Sequence, residues 1–285
     1  MDHPNVTHWD DAAIQDVAAG ALRARWRDLG AAAGAFHAAA ALVELAPGAR
    51  STPAAAHAGE EELSYILEGG GVGAWDGHSY AVEAGDVLLH RAGEEVHTLV
   101  AGERGLTLVA FGPRRLPLWD AETTAPPAPG RVEPERPAAT LTALEDVPPS
   151  EFHRGPVRQK LRFASRMMGA ETTGMRHVRI APDARGTPHH CHGAEEELFV
   201  VLGGAGTVRL GEERFPVARG SVVARPPGTG VAHSFLAGEQ GLEMLGWGTR
   251  EPNDIAYYPD SNKVYLCGVG VIGRIEPCDY WDGEE

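Results

Sequence analysis

The sequence predicts an all-β protein built from two similar halves joined by a proline-rich connector. The first observation is an internal repeat: residues 52–71 align with residues 187–206 through a shared Thr-Pro, histidine, Glu-Glu-Glu-Leu and glycine pattern. The second is a series of short apolar runs separated by glycine, proline and aspartate, a spacing typical of β-sandwiches and barrels. The third is the proline content of residues 116–150, which favours an extended connector of restricted flexibility.

The repeat continues beyond these two stretches. Gly85 aligns with Gly220 and, after one inserted residue, His97 aligns with His233. We therefore interpret the chain as a tandem duplication. The predicted domains are an N-terminal domain over residues 1–115, a linker over residues 116–150 and a C-terminal domain over residues 151–285.

Each half contains four apolar runs that we interpret as strands. They are short, rich in branched residues and bounded by turn residues. The predicted strand segments are residues 41–45, 63–67, 87–89 and 106–111 in the first half, and residues 178–180, 198–202, 221–224 and 242–247 in the second.

Three further segments have their own predictions. Residues 10–29 show some helical periodicity, which predicts a short helix or an arm packed on the first domain. The glycine runs at residues 69–71 and 203–206 are predicted to be hairpin turns rather than phosphate loops, because no Lys-Ser/Thr follows and no helix begins. The tail from residue 251 is too aromatic for a disordered end and is predicted to pack on a barrel or on a partner chain.

Composition and charge exclude several classes of protein. A hydrophobic fraction of 43% supplies enough apolar residues for two cores. A net charge of −15 disfavours nucleic acid and anionic membranes as partners. Residues 31–43, the most alanine-rich stretch, are interrupted by Gly34 and His37 and do not predict a membrane span. The acidic start lacks the order of a signal peptide and the three cysteines are too few for a disulfide framework, so we expect a cytoplasmic protein.

The second half is organised around residues 187–206, which hold three potential metal ligands. Side chains alternate along an extended segment, so His190 and His192 point to the same face. The apolar strand after the next turn can return Glu197 to the same interior, and His233 follows a later Pro-Pro-Gly turn. Three imidazoles and one carboxylate suit a first-row transition metal with one or two positions left open.

These motifs resemble the cupin superfamily. Its first motif is a glycine, His-x-His, a glutamate three or four residues later and another glycine, and its second holds Gly, Pro, Gly and a last histidine. The matching residues are His190, His192, Glu197 and Gly204 for the first motif, and Gly220, Pro226, Gly228 and His233 for the second. The Glu-Glu-Glu-Leu block and the tail Tyr-Tyr-Pro-Asp-Ser are also similar to one bacterial cupin group with no settled reaction.

The resemblance covers residues 40–114 and 160–250 and implies two small jelly-roll barrels, the arrangement called a bicupin. It also implies a homodimer, because cupin sheets often pair their edges. The sequence departs from the pattern before the first motif, where the usual glycine is Gly48 in the first half but Asp183 in the second.

The main metal site is predicted in the second half, with His190, His192, Glu197 and His233 as ligands. Burying these groups is costly unless a partner compensates them, and a divalent cation such as iron, manganese, nickel, zinc or copper does so. The alternative is a hydrogen-bonded polar network without metal.

The first half has alanines at positions 54–56, so its equivalent of His190 is missing. His57, Glu62 and His97 remain and can form a second site of the two-histidine, one-carboxylate type. The alternative is a domain kept for packing.

Several neighbouring residues have two interpretations. Glu195 and Glu196, like Glu60 and Glu61, either act as acid or base near a metal or lie in a solvated turn. Cys191 is expected to point away from the two histidines that flank it.

An open metal position can activate dioxygen, polarise a carbonyl or bind a carboxylate. The leading prediction is a dioxygenase-type oxidoreductase that acts on a small organic molecule in the C-terminal barrel, because bicupins with one intact site resemble aromatic-ring and flavonol dioxygenases. The alternatives are a cupin decarboxylase or isomerase and a non-catalytic module that senses or stores a small ligand. No catalytic residue follows from the sequence. An additional acid, base or arginine lining the second barrel would favour catalysis, and the candidates are Arg179, Arg209 and Arg225.

Overall fold

The computed structural model of the chain describes residues 3–19, 22–51, 61–75, 77–93, 97–113 and 130–284. Over these ranges the chain is almost entirely β-strand. The strands of the first half are β1 Val6–His8, β2 Ile14–Ala19, β3 Leu22–Asp28, β4 Ala38–Leu45, β5 Glu62–Trp75, β6 His78–Glu83, β7 Asp86–His90 and β8 His97–Pro113. Those that follow are β9 Leu141–Ala143, β10 Pro149–Arg154, β11 Val157–Arg162, β12 Thr173–Ile180, β13 Cys191–His192, β14 Glu197–Leu210, β15 Glu213–Ala218, β16 Ser221–Arg225, β17 His233–Thr249, β18 Ile255–Tyr258, β19 Lys263–Leu266 and β20 Val271–Arg274.

Helix is confined to single turns in these ranges. The α-helical turns are α1 Leu29–Ala32 and α2 Ala164–Met168, and the 3-10 turns are Trp9–Asp11, Leu144–Asp146, Pro259–Ser261 and Cys267–Val269. None of these helices combines the length and the apolar character needed to span a bilayer.

Two eight-stranded sheets repeat the same topology. The first has the order β2-β3-β4-β8-β5-β7-β9 with β6 beside β5, and the second has the order β10-β11-β12-β17-β14-β16-β1 with β15 beside β14. All eight apolar runs named from the sequence lie within these strands. The all-β prediction and the two-barrel architecture are therefore confirmed.

The two halves exchange their first strands. β1, from the start of the chain, pairs with β16 of the second sheet in antiparallel register. β9, which precedes the second repeat, pairs in the same way with β7 of the first sheet. Each barrel is thus completed by a strand that belongs by sequence order to the other repeat.

The largest apolar core lies between the two sheets. It joins Leu63 and Phe111 of the first sheet to Leu198 and Trp247 of the second, and the rings of Phe111 and Trp247 stack at 6.3 Å. Two further cores fill the interiors of the individual barrels. Because side chains alternate along each strand, one face supplies the barrel interior and the other supplies the contact between barrels.

Two buried glutamates tie the repeats together. Glu196 is fully buried, and its carboxylate accepts backbone hydrogen bonds of 2.6 to 2.8 Å from the N–H groups of residues 36–38 in the first repeat. Glu61, the equivalent residue, accepts bonds of 2.8 to 3.2 Å from the N–H groups of residues 171–173 in the second. The prediction that these two glutamates lie in a solvated turn or act near a metal is wrong, because their carboxylates are occupied by backbone donors of the opposite repeat.

Two other local predictions need correction. Residues 14–19 and 22–28 form the paired strands β2 and β3, so the helix alternative is wrong, whereas the arm alternative agrees with the pairing of β3 with β4 of the first sheet. The glycine runs lie inside β5 and β14, at irregularities in their pairing with β8 and β17, and are not hairpin turns. A Cβ at Gly69 or Gly204 would collide with a backbone carbonyl of the facing strand, so close strand approach explains these glycines.

The aromatic tail packs on the second barrel, as the first alternative predicted. β18 pairs with β13, and β19 and β20 extend the same small sheet. This sheet places the tail directly over the His-x-His segment.

Candidate metal centre

The four predicted ligands of the second barrel converge on one carboxylate oxygen. Glu197 Oε2 lies 3.2 Å from His233 Nε2, 3.5 Å from His192 Nε2 and 4.0 Å from His190 Nε2. Strand alternation places His190 and His192 on one side, as the sequence predicted. Residue His190 also bridges to His233 through backbone hydrogen bonds, which holds the two segments together.

Hydrogen bonds fix the orientation of two of the imidazoles. His190 Nδ1 lies 2.7 Å from the carbonyl oxygen of Pro188, and His192 Nδ1 lies 2.6 Å from Asp254 Oδ2. An imidazole nitrogen beside a carbonyl or carboxylate oxygen carries the proton, which leaves the Nε2 lone pair directed into the cluster. The same arrangement orients histidines that bind metals.

The electrostatics favour the metal-binding form of two imidazoles and of the carboxylate. Burial lowers the pKa of His190 to about 3, and burial also lowers the pKa of His233 although Glu197 opposes the shift. Burial would likewise lower the pKa of His192, but the carboxylates of Glu197 and Asp254 outweigh it and raise that pKa. For Glu197, burial is outweighed by Arg176 and the histidines, which hold its pKa well below the usual range. Two neutral imidazoles therefore face an ionised carboxylate.

Several buried polar atoms of the cluster lack a hydrogen-bond partner among the described residues. They are His192 Nε2, Glu197 Oε2, and both ring nitrogens of His233. Buried polar atoms almost always have a hydrogen-bond partner, so four neighbouring atoms without one need an explanation. A divalent cation bound by the Nε2 atoms and Glu197 Oε2 satisfies three of these four atoms, and the donor set therefore fits a transition metal.

The cluster borders a cavity of about 190 Å³. Glu197 Oε1 accepts a hydrogen bond of 2.5 Å from Arg176 Nη2, and both residues line the cavity. Its wall also contains Glu195, Arg166 and Arg250, together with small or apolar residues. The cavity and Arg176 thus meet the carboxylate whose Oε1 accepts from Arg176, while the three histidines lie nearest its Oε2.

The three arginines proposed from the sequence have different locations. Arg225 is buried, and its Nη2 donates a 2.5 Å hydrogen bond to the carbonyl oxygen of Val231. Arg179 pairs with Glu243, and Arg209 pairs with acidic residues of its own turn and of the tail, so neither contacts the cluster. The arginine that does contact it, Arg176, was not singled out.

The tail supplies two contacts that the sequence did not reveal. Asp254 is 1% exposed and, besides His192, accepts backbone hydrogen bonds of 2.8 and 3.1 Å from Ala194 and Glu195. Tyr258 stacks on His190 with ring centroids 5.6 Å apart and an interplanar angle of 17°. The aromatic composition indicated that the tail packs on the protein, but no sequence motif identifies Asp254 as the partner of His192.

The first barrel has a different cluster. Glu62 and His97 are brought together, and the third member of their group is His90, which lies outside the predicted ligand set. One ligand atom of each residue lies within 4.8 Å of the others. His57, the remaining predicted ligand of this barrel, lies outside the described residues.

Two jelly-roll barrels with exchanged first strands and a three-histidine, one-glutamate cluster define a double-barrel metal-site architecture. A family model for the cupin domain matches residues 41–110 and again residues 176–246. The chain is therefore a tandem cupin-domain protein, a bicupin. No curated protein sequence matches it significantly.

Solved structures of oxalate decarboxylases share this fold. The Lactobacillus farciminis oxalate decarboxylase formate complex is 17% identical, covers 88% of this chain and 87% of its own, and has a TM-score of 0.65. A Bacillus subtilis oxalate decarboxylase variant is 17% identical, covers 85% of this chain and 76% of its own, and has a TM-score of 0.62. Another structure of the Bacillus subtilis enzyme, described for its Mn(II) centers, has a TM-score of 0.61 at 16% identity, with coverage of 85% and 76%. Identities this low establish the likeness of fold alone.

Proposed function

We propose that the protein is a metal-dependent enzyme of the decarboxylase or isomerase class that acts on a small organic anion in the second barrel. The observation that carries this proposal is the cavity between Glu195 and the Arg176–Glu197 pair, which places a protonatable carboxyl and a cationic side chain beside the predicted metal ligands. The C-terminal domain, residues 151–285, is the proposed catalytic unit.

The lining of the cavity favours an anionic substrate. Arg166, Arg176 and Arg250 face it together with two carboxylates, Glu195 and Glu197. The Arg176 side chain is largely buried, so a carboxylate that displaced water there would gain a charge-assisted hydrogen bond in a poorly solvated site. A volume of about 190 Å³ suits a molecule of few heavy atoms.

His190, His192, Glu197 and His233 are the residues that would hold the metal. A divalent cation there supplies Lewis acidity, which polarises a carboxylate or carbonyl oxygen of the substrate. Manganese is the proposed ion, because the fold neighbours include an enzyme with Mn(II) centers; iron, nickel, zinc and copper are the alternatives.

Glu195 is the proposed proton donor. Burial raises the pKa of its carboxyl, which keeps it closer to the protonated form that a general acid needs near neutral pH. Its Oε1 accepts a hydrogen bond of 3.2 Å from the backbone N–H of Glu251, and its side chain lines the cavity. Loss of carbon dioxide, or migration of a carbonyl, leaves a carbanion-like centre that must take up a proton, so this carboxyl has a role in both reactions.

The dioxygenase prediction is the second candidate. It is supported by the ligand set, because three imidazoles and a carboxylate also suit iron or copper. A buried proton donor at the cavity is less specific to that chemistry. A non-catalytic anion-binding module would use the same arginines without turnover.

The test is to load purified protein separately with Mn(II), Fe(II), Ni(II), Zn(II) and Cu(II) and assay it against small mono-, di- and keto-carboxylates. Carbon dioxide release or proton exchange is followed by NMR, while oxygen uptake is followed with catechols, gentisate and flavonols. We expect anaerobic turnover of a carboxylate that falls about 100-fold or more in kcat in Glu195→Gln with metal content unchanged. Glu212→Gln, an exposed carboxylate change, is the matched control.

Oxygen consumption linked to product would establish the dioxygenase alternative instead. Saturable anion binding without turnover on any metal would establish the binding module.

The expected homodimer is a further proposal. It is supported by the outer strand β20, whose Val271 and Ile272 side chains are each 54% exposed.

A further inference from the structure

The first barrel keeps the last histidine, with His97 in the place of His233, but differs from the second at other positions around its central glutamate. Glu62 pairs with His90 across β5 and β7 in the register in which Glu197 pairs with Arg225 across β14 and β16. His90 therefore occupies the place of Arg225.

The other guanidinium of the second barrel is also replaced. Arg176 is the fourth residue of β12, and the fourth residue of β4 is Ala41. Phe199, two residues after Glu197, corresponds to Ser64, whose hydroxyl lies 3.2 Å from Glu62 Oε1. The first barrel has thus lost two fixed cations and a large ring near its glutamate, and has gained an imidazole and a hydroxyl.

This exchange changes what the cluster can bind. A guanidinium has no lone pair to offer a metal, whereas a neutral imidazole is a common ligand for transition metals. The gain of His90 offsets the loss of the His190 equivalent, which is Ala55 in this half. Two imidazoles and one carboxylate form a set that binds first-row transition metals.

The three groups lie close to the spacing that one shared ion requires. His90 and His97 are 3% and 6% exposed, and their rings stack with centroids 3.6 Å apart. Glu62 joins them with ligand atoms within 4.8 Å. Two ligands bound at roughly 2.0–2.2 Å lie at most about 4.4 Å apart, so rotation of the side chains out of the stack would let them share an ion.

We propose that the first barrel holds a second transition-metal site formed by Glu62, His90 and His97, in which His90 serves as a ligand from the position that is Arg225 in the second barrel. The site is independent of the catalysis proposed for the second barrel. The proposed ligand set differs from the one predicted from the sequence, because that set contains no residue of β7.

The test uses the full chain carrying His190→Ala and His192→Ala, which removes two ligands of the second barrel. Co(II) is the probe, followed by its visible absorption and by elemental analysis after gel filtration. We expect this background to retain one cobalt per chain, and His90→Ala in the same background to weaken cobalt binding at least about tenfold. His78→Ala, an exposed histidine of the same barrel, is the control and should bind as the background does.

His90→Arg provides a second variant for folding, because arginine occupies this position in the second barrel. It should also abolish cobalt binding while circular dichroism shows a folded protein. The proposal is overturned if the background binds no cobalt, or if both His90 variants bind it as tightly as the background. Neither result affects the catalytic proposal, which is measured by turnover of the chain with an intact second barrel.

Discussion

The proton on His192 is positioned by Asp254, a residue of the tail. The carboxylate lies 2.6 Å from His192 Nδ1 and also accepts two backbone N–H groups of the following turn. We expect Asp254→Asn to weaken metal binding in the second barrel by roughly 10–100-fold. Loss of a carboxylate that hydrogen-bonds to a metal-binding histidine typically lowers metal affinity by this factor. Competition with a chelator would measure the affinity.

Asp260→Asn is the matched control, because Asp260 lies in the same tail but pairs with Arg209. Equal metal affinity of Asp254→Asn and the wild type would show that His192 does not depend on the tail.

Glu243 links stability to acid pH away from the metal cluster. A 2.7 Å hydrogen bond with His177 and a further bond from Arg179 lower its pKa to about 2, against a usual value of 4.5, although burial opposes the shift. Because the folded pKa is depressed, the stabilisation is complete above pH 4.5 and is lost as the pH falls towards 2. We expect Glu243→Gln to flatten the loss of stability over this window.

Urea unfolding of metal-free protein at a series of pH values would measure the slope. Glu239→Gln, an exposed change on the same strand, should retain the wild-type slope. An unchanged slope in Glu243→Gln would refute the linkage.

At the residue scale, the sequence identified the residues of the cluster but not the residues that support them. His190, His192, Glu197 and His233 could be predicted because strand alternation and motif spacing are local properties. Arg176 could not, because its contact with Glu197 depends on the pairing of distant strands. The same limit applies to every supporting contact that comes from the tail.

At the element scale, Glu61 and Glu196 form reciprocal anchors between the repeats. Each carboxylate accepts three backbone N–H groups of the other repeat. We expect Glu196→Gln and Glu61→Gln each to lower the free energy of unfolding by about 2–4 kcal/mol, because hydrogen bonds to a buried charged acceptor are lost or weakened. Chemical denaturation would measure the change.

Glu171→Gln is the control, since its side chain is exposed while its backbone donates to Glu61. A loss below about 0.5 kcal/mol in both anchor variants, the size typical of surface changes, would show that the anchors contribute little.

The strands themselves were predictable where apolar runs alternate with turn residues. The helix alternative for residues 10–29 arises because the apolar residues of β2 and β3 also fit a helical period, but Ile14 is 50% exposed and does not belong to a buried helical face. The glycines inside β5 and β14 were mistaken for turns because close strand approach, like a turn, requires residues without a side chain.

At the scale of the whole molecule, the two repeats are expected to depend on each other for folding. The strands β1 and β9 are exchanged, and the core between the sheets contains residues of both repeats. We predict that residues 136–285 expressed alone aggregate, because they lack β1 and expose side chains such as Leu198 and Trp247.

Co-expression with residues 1–135 should restore a soluble complex that light scattering detects as one particle. A monomeric, cooperatively unfolding fragment of residues 136–285 alone would argue against this dependence.

The duplication was visible in the sequence, but the strand exchange was not, because short strands carry no information about which sheet they join.

Locating the metal in the second barrel is the most direct test of the proposed site. Crystals of manganese-loaded protein, measured at the manganese absorption edge, are predicted to show an anomalous peak bonded to Glu197 Oε2 and to the Nε2 atoms of His190, His192 and His233. The contrary result is that the second barrel shows no such peak in crystals grown with excess manganese. The four side chains would then form hydrogen bonds to one another or to water, and the proposed metal site would be refuted.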